Sequence, residues 1–370
     1  MTDVVVVGAG VVGLAVARAA RERGASVVVL ERNGIGSGQS GVQPGGVRQQ
    51  WGTDVATRLA RESAAFYARS DEMLPFPLQL GFQRCGYLFV AHSAAALARL
   101  VANVEVQRRG GVPSRVVGPA EAAELVPGLD VANIVGGTWC PEDGYFDRPQ
   151  SVVEAFAAGL DVRIAEVTAL RHEGDFWVAR TPAGDVTAAR VVIAAGVEST
   201  HLLAPLGVEL PVEHEDRYLF LSTPLRERLL DPLVVSAERR FAAKQLADGR
   251  VLASDLGATG DAETGAQRWR ANIRSVAREL LPVLEYVDFS VLVHGRYDVT
   301  PDRQPVLGHV PGHDGLLLAA GFSGHGFMIA PAVGRIVAAA ALGDDPDPAL
   351  EVLDLARFVE GRPVPEPQVV

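Results

Sequence analysis

Polar and apolar positions fall into two kinds of block along the chain. Short runs that are apolar throughout predict strands covered on both faces: Val4–Val7, Ser26–Leu30, the end of Val186–Ala195, and Gly315–Ala320. Longer stretches with apolar residues on one face predict helices. These are Leu14–Arg23, Asp54–Ala68 behind a Thr53 cap, Ser93–Arg109 (Leu97, Leu100, Val101, Val104), Pro119–Val126, Ser151–Ala158 and Glu263–Leu281 (Trp269, Ile273, Val276, Leu280). A last buried helix spans Phe327–Leu342, with Pro331 near its first turn, where proline is tolerated. Further strands are predicted at Gly86–Ala91, Asp161–Leu170, Phe176–Thr181 and Tyr218–Leu221, with hairpin turns at the Pro-Ala-Gly-Asp stretch and at Asp248–Gly249.

The order of these blocks predicts an α/β chain in which two units interleave. A Rossmann-type nucleotide-binding domain is expected from residues 1–85, 141–205 and 295–370. An α+β substrate domain, antiparallel sheet plus helices, is expected from 86–140 and 206–294. The Pro- and Asp-rich tail after Gly343 is expected to pack loosely.

The first strand runs straight into Gly8, Gly10 and Gly13, then a helix, a second strand and Glu31. This spacing suits a dinucleotide: a tight turn, close approach of backbone to a pyrophosphate, close packing of helix on strand, and an acid for the ribose hydroxyls. Unpaired N–H groups and a partial positive charge at the helix start favour phosphate. The glycine- and serine-rich segment that follows is long enough to be functional, with Ser37 and Ser40 available to phosphate oxygens. Similar strand–glycine units recur at Ala195–Gly196 and at the Gly-Phe-Ser-Gly-His-Gly loop, so the cofactor unit is spread over the chain. That distribution points to FAD rather than NAD, with the last helix aimed at the flavin ring.

Composition narrows the partners. The net charge of −11 opposes nucleic acid and anionic membranes, and no apolar run reaches the length of a membrane span. Asp3 precedes the first apolar stretch where a secretory signal would carry a basic residue. Cys85 and Cys140 stand far apart, with no metal-ligand spacing near either. A cytoplasmic location is expected.

The segments GAGVVGLAVA, SGVQPGGVRQQWG, PEDGYFDRPQ, YDVTPDRQPVLG and GFSGHGFMIAPAVG together resemble the FAD-dependent amine and amino-acid oxidoreductases of the D-amino-acid oxidase superfamily, in its sarcosine oxidase, glycine oxidase, dimethylglycine dehydrogenase and proline dehydrogenase branch. The resemblance implies non-covalent FAD held by Gly8, Gly10, Val11, Val12, Gly13, Glu31, Arg32, Ser37, Ser40, Gly45, Gly46, Val47, Val167, Ala195, Gly196, Gly321, Ser323, Gly324, His325, Gly326 and Phe327. It implies that Arg48 meets a substrate carboxylate, that Tyr297 faces the bound amine, and that His325 contacts flavin or substrate. Three positions depart from the relatives. Met328 stands where a carboxylate-assisting lysine is found, Gly295 where a flavin-linking cysteine is found, and Lys244 is no secure counterpart of their oxygen-activating lysine.

The activity this implies is hydride transfer from a small amino acid or N-methyl amino acid to flavin. The imine then hydrolyses, and oxygen or another acceptor takes the electrons. Three rivals remain open at this point: a flavoprotein electron-transfer or assembly subunit, an NAD-dependent dehydrogenase, and a flavin oxidase of a hydroxy acid or glycerol phosphate.

Overall fold

A computed structural model gives the fold and describes residues 1–368. The first valine run forms the strand Thr2–Val7, whose Val4, Val5 and Val6 are wholly buried. It is parallel to Val27–Glu31 on one side and to Val186–Ile193 on the other. The eight-stranded sheet containing them runs in the order 169–173, 176–180, 186–193, 2–7, 27–31, 161–164. The C-terminal half of Val186–Ile193 also pairs in parallel with Leu316–Ala320, which in turn pairs with Val306–His309. Strands from the start, middle and end of the chain therefore share one sheet.

Two helices lock this arrangement. The helix Val11–Glu22 and the last long helix, Gly326–Leu342, lie against each other so closely that a Cβ on Gly334 would sit 2.6 Å from the carbonyl carbon of Ala15. Both helices also open side by side, because a Cβ on Gly326 would meet Val12 Cγ2 at 3.6 Å. The last helix begins at Gly326, so Pro331 is its sixth residue and lies in the second turn, not the first. Proline lacks the N–H that would bond the Phe327 carbonyl four residues back. The hydroxyl of Tyr67, from the Asp54–Tyr67 helix, donates to that carbonyl instead, at 2.6 Å.

A second eight-stranded sheet runs in the order 291–299, 213–221, 251–255, 241–245, 233–236, 87–91, 136–140, 115–117. All its pairs are antiparallel except Leu233–Ser236 with Tyr87–Ala91. The helix Ala262–Leu280 packs on this sheet through Trp269, Ile273, Val276 and Leu280. A small sheet of Gly46–Val47, Gly144–Phe146 and Phe82–Gln83 is the third.

Three sequence expectations change. The expected strand Asp161–Leu170 is two strands, Asp161–Ile164 and Ala169–Glu173, at opposite ends of the first sheet. Ala165 N–H bonds the Glu31 carbonyl, and the next residues carry the chain across the sheet end. In the helix Ala94–Arg109, Leu97, Leu100 and Val101 are only partly buried, and the inward side chains include Asn103 and Gln107. Asn103 donates to the Gln368 side chain (2.7 Å) and Gln107 to the Trp51 carbonyl (3.0 Å), so this face is hydrogen-bonded inward.

The tail is not loose. Arg357 is 0% exposed and forks onto Asp302, with Nε to Oδ2 at 2.8 Å and Nη2 to Oδ1 at 3.0 Å. Glu366 accepts from Gly52 N–H and the Thr53 hydroxyl. Asp302 thus pairs with Arg357, while its neighbour Arg303 pairs with Glu215.

Candidate functional site

The first strand ends in a turn that only glycine permits. Gly8 has φ +108°, and a Cβ there would lie 2.5 Å from the Ala194 carbonyl oxygen; a Cβ on Gly13 would strike the Gly8 carbonyl. Ala9 N–H donates to Glu31 Oε2 (2.8 Å) and Asn33 N–H to Oε1 (3.0 Å), with the Ser37 hydroxyl near at 3.4 Å. Glu31 therefore ties the glycine turn to the segment that follows it. Ser40 Oγ accepts from Val11 N–H at 3.0 Å and holds an acceptor oxygen at the opening of the first helix. Arg32 reaches Glu198 across the sheet end (3.5 Å). Ala195 and Gly196 lie on the same edge, and no atom within 4 Å would meet a Cβ on Gly196. Val167 sits in the crossing segment two residues past the bond to Glu31 and is partly buried.

The segment after Ser40 turns inward. Gly45 and Gly46 are required by packing within the protein: a Cβ would strike the Phe146 carbonyl at Gly45 and the Tyr87 hydroxyl at Gly46. Val47 is buried. Arg48 is 2% exposed and lies 3.6 Å from the Trp51 ring centroid. It donates through Nη1 to the Gln50 carbonyl (2.9 Å) and through Nη2 to the Gln368 carbonyl (2.8 Å), while Nε has no partner. Burial lowers its pKa to about 10, opposed by Glu366, Tyr87 and Asp143. Arg48 is thus a buried cation whose bonded partners are neutral carbonyls.

The far wall comes from the return strand and the loop beyond it. Tyr297 lies on Val291–Val299, its ring against Gly324. Ser323 has φ +49°, unusual for a residue with a side chain. Asp298 imposes that backbone: its carboxylate accepts from Gly321 N–H (2.9 Å) and its carbonyl from Ser323 N–H (2.9 Å). His325 caps the last helix, its ring 4.1 Å from that of Trp51. Burial, with Arg48 and Arg303 near, holds its pKa well below the usual imidazole range, so the ring is neutral. His325 Nε2 is buried without a partner. Phe327 is buried against Tyr67 and Phe146.

Arg48, Trp51, His325, Gly324 and Tyr297 are therefore contiguous, and the helix that His325 caps opens beside the helix that begins in the Gly8–Gly13 turn. Asp143, Asp298, Gln50 and Trp51 are the buried residues that the sequence reading missed. All four lie within or beside the motif segments quoted from the sequence, which was the signal available for them. Asp143 accepts from Gln49 N–H (2.8 Å) and Gln50 Nε2 (3.1 Å), fixing the backbone on both sides of Arg48's neighbour. Lys244 is the chain's only lysine. It is buried, donates to the Pro44 carbonyl at 2.6 Å, and is brought down to a pKa of about 7 by burial.

This donor set fits FAD. Backbone N–H groups and Ser40 surround the helix opening, open space adjoins Gly196, and four buried polar atoms (Gln43 Nε2, Arg48 Nε, Gln49 Nε2, His325 Nε2) lack partners. Gly295 offers no side chain for a covalent flavin link at that position. Among the described residues, no helix is long and apolar enough to cross a membrane, and no acidic, His or Cys cluster suits a metal.

Comparison with known proteins agrees. The chain is 28% identical over 376 residues to 4-methylaminobutanoate oxidase (formaldehyde-forming) of Paenarthrobacter nicotinovorans, covering 96% of this chain but 45% of that protein. It is 30% identical over 367 residues to glycine oxidase of Pseudomonas aeruginosa, covering 94% of this chain and 97% of that one. The L-proline dehydrogenase structure from P. horikoshii superposes with a TM-score of 0.89 at 28% identity, covering 97% and 98% of the two chains. A family profile described as DAO, FAD dependent oxidoreductase, matches residues 3–340, and the chain belongs to that family of FAD-dependent oxidoreductases.

Proposed function

We propose that the protein oxidises the C–N bond of a small amino acid or N-methyl amino acid, of the glycine, sarcosine or proline kind. One observation carries this reading: Arg48 is a buried guanidinium bonded only to neutral carbonyls, beside Trp51, His325 and Tyr297. A buried cation is costly until an anion joins it, and a substrate carboxylate is the anion that amino-acid chemistry supplies. Nε is its one nitrogen without a partner.

When bound, FAD supplies a two-electron acceptor for hydride. The chain's own residues orient and desolvate. Arg48 fixes the carboxylate end, Tyr297 walls the other side of the amine, and the neutral ring of His325 adds no second charge where the amine must itself be neutral. No side chain is needed as general base when the free amine binds. The imine is released and hydrolyses in water.

The test is an anaerobic panel of sarcosine, glycine, proline and D-amino acids, followed by loss of the flavin's visible absorption, with a peroxide assay in air to identify the acceptor. Bleaching by members of this panel and not by hydroxy acids is expected. Arg48→Ala should raise KM at least 10-fold with FAD retained; unchanged kinetics would remove Arg48 from the site.

A further inference from the structure

On the strand pair 213–221 and 291–299, Glu215 stands directly opposite Tyr297, and Arg217 opposite Gly295. Residues opposite and alternate in an antiparallel ladder share one face, so Glu215, Arg217 and Tyr297 point the same way, and Gly295 leaves the place beside Arg217 without a side chain. The Arg217 guanidinium lies 5.1 Å from the Tyr297 ring centroid. Its carboxylate partner, Glu215, is shared: Arg217 pairs with it, and Arg303 donates to it at 2.6 Å. Both arginines keep part of their side chains accessible, 20% for Arg217 and 36% for Arg303, unlike the enclosed Arg48.

On the Glu215 side of Tyr297, two guanidinium groups (Arg217 and Arg303) share one carboxylate, whereas Arg48 on the buried side already feels Glu366 and Asp143. The outer wall therefore carries an excess of one positive charge beyond that of Arg48. A glycine-like substrate with a neutral amine brings one negative charge and leaves the second cation unmatched. An amino acid with two carboxylates brings two.

We infer that the substrate carries a second carboxylate, on its side chain or on its nitrogen substituent, and that Arg217 is the residue that reads it. This rests on the amino-acid reading above and narrows it: glycine, sarcosine and proline are then the weaker, one-carboxylate members of the same substrate class. Arg48 takes the carboxylate common to all amino acids from the buried side. Arg217 takes the outer one across the face of Tyr297. Arg303 holds Glu215, so that Arg217 is not fully committed to it.

Equilibrium binding tests this without turnover. Acetate, malonate and succinate are titrated into the FAD-loaded protein, and the change in the flavin's visible spectrum gives each Kd. The diacids are expected to bind at least 10-fold tighter than acetate. Arg217→Gln should bring that ratio to within about 2-fold, and Arg217→Lys should restore part of it, which a merely structural role would not do. A native ratio near one, or a ratio unchanged in Arg217→Gln, would overturn the inference. So would equal weakening of acetate and diacids. If the diacid preference holds while no amine bleaches the flavin, the oxidation reading fails and the site's charge reading stands. If glycine or sarcosine bleaches it and the preference is absent, the reverse is true.

Discussion

Asp143 is wholly buried yet carries a carboxylate, and it holds the strand of residues that presents Arg48. Burial raises its pKa to about 6 against the lowering effect of Gln50, Gln49 and Cys140. For an acid raised in the folded state, the folded protein binds more protons than the unfolded chain. The stability it confers is complete below the ordinary carboxylate pKa and is lost as pH rises through about 6. A displacement of that size is worth about 3 kcal/mol, at about 1.4 kcal/mol per pH unit. Asn at this position cannot ionise, so the stability of Asp143→Asn relative to the native protein should improve by about 3 kcal/mol between pH 4 and pH 8, read by urea unfolding across that range. A flat difference would mean that folding does not raise the Asp143 pKa. The Pro-Glu-Asp-Gly stretch stood out in the sequence only as part of a family-like segment, because the pairing of Asp143 with Gln49 and Gln50, more than 90 residues away, leaves no periodic trace.

At the scale of elements, the last helix shows what patterning reveals and what it hides. Its apolar run and the valine strands were legible because burial on both faces forces composition. So was the glycine spacing of Gly8, Gly10 and Gly13, since a side chain has no room at Gly8 or Gly13. The inward Asn103 and Gln107 were not, because a hydrogen-bonded face looks like solvent-facing polarity until its partners are known. Nor was the remedy for Pro331, which joins two helices distant in sequence. That remedy makes a testable cycle. Tyr67→Phe leaves the buried Phe327 carbonyl without a donor and should cost about 1–3 kcal/mol. Pro331→Ala restores a backbone N–H to that carbonyl, so in its presence Tyr67→Phe should cost less than half as much. Thermal or urea unfolding of the four proteins measures the coupling, and additive losses would show that the hydroxyl and the missing N–H are unrelated.

For the whole molecule, the C-terminal segment is anchored through Arg357 and Asp302. Every N–H of the guanidinium is used: two go to Asp302, and the others reach the carbonyls of Leu353, Asp354 and Gln304. Asp302 also accepts from Val364 N–H (3.0 Å) and the Thr300 hydroxyl (3.2 Å). It thereby ties the C-terminal segment to the turn between the strands Val291–Val299 and Val306–His309. Burial pushes the Asp302 pKa up, but Arg357 and the Val364 N–H outweigh it and hold the carboxyl below its usual range. The stability this confers is present above the ordinary carboxylate pKa and is lost as pH falls through the lowered one. Removing one member leaves the other charge buried and unpaired, so Arg357→Met should cost about 3–5 kcal/mol by urea unfolding. The pair Arg357→Met with Asp302→Asn should cost less, because neither change then strands a charge. The same tail carries Gln368, whose carbonyl holds Arg48, and Glu366, which binds Gly52 and Thr53. Loosening it should therefore raise KM for the amino-acid substrate before it affects FAD retention, since the glycine turn at Gly8–Gly13 takes its own support from Glu31 and the paired helices. Loss of FAD at the same denaturant concentration as the rise in KM would show that the tail supports the whole molecule rather than the Arg48 wall.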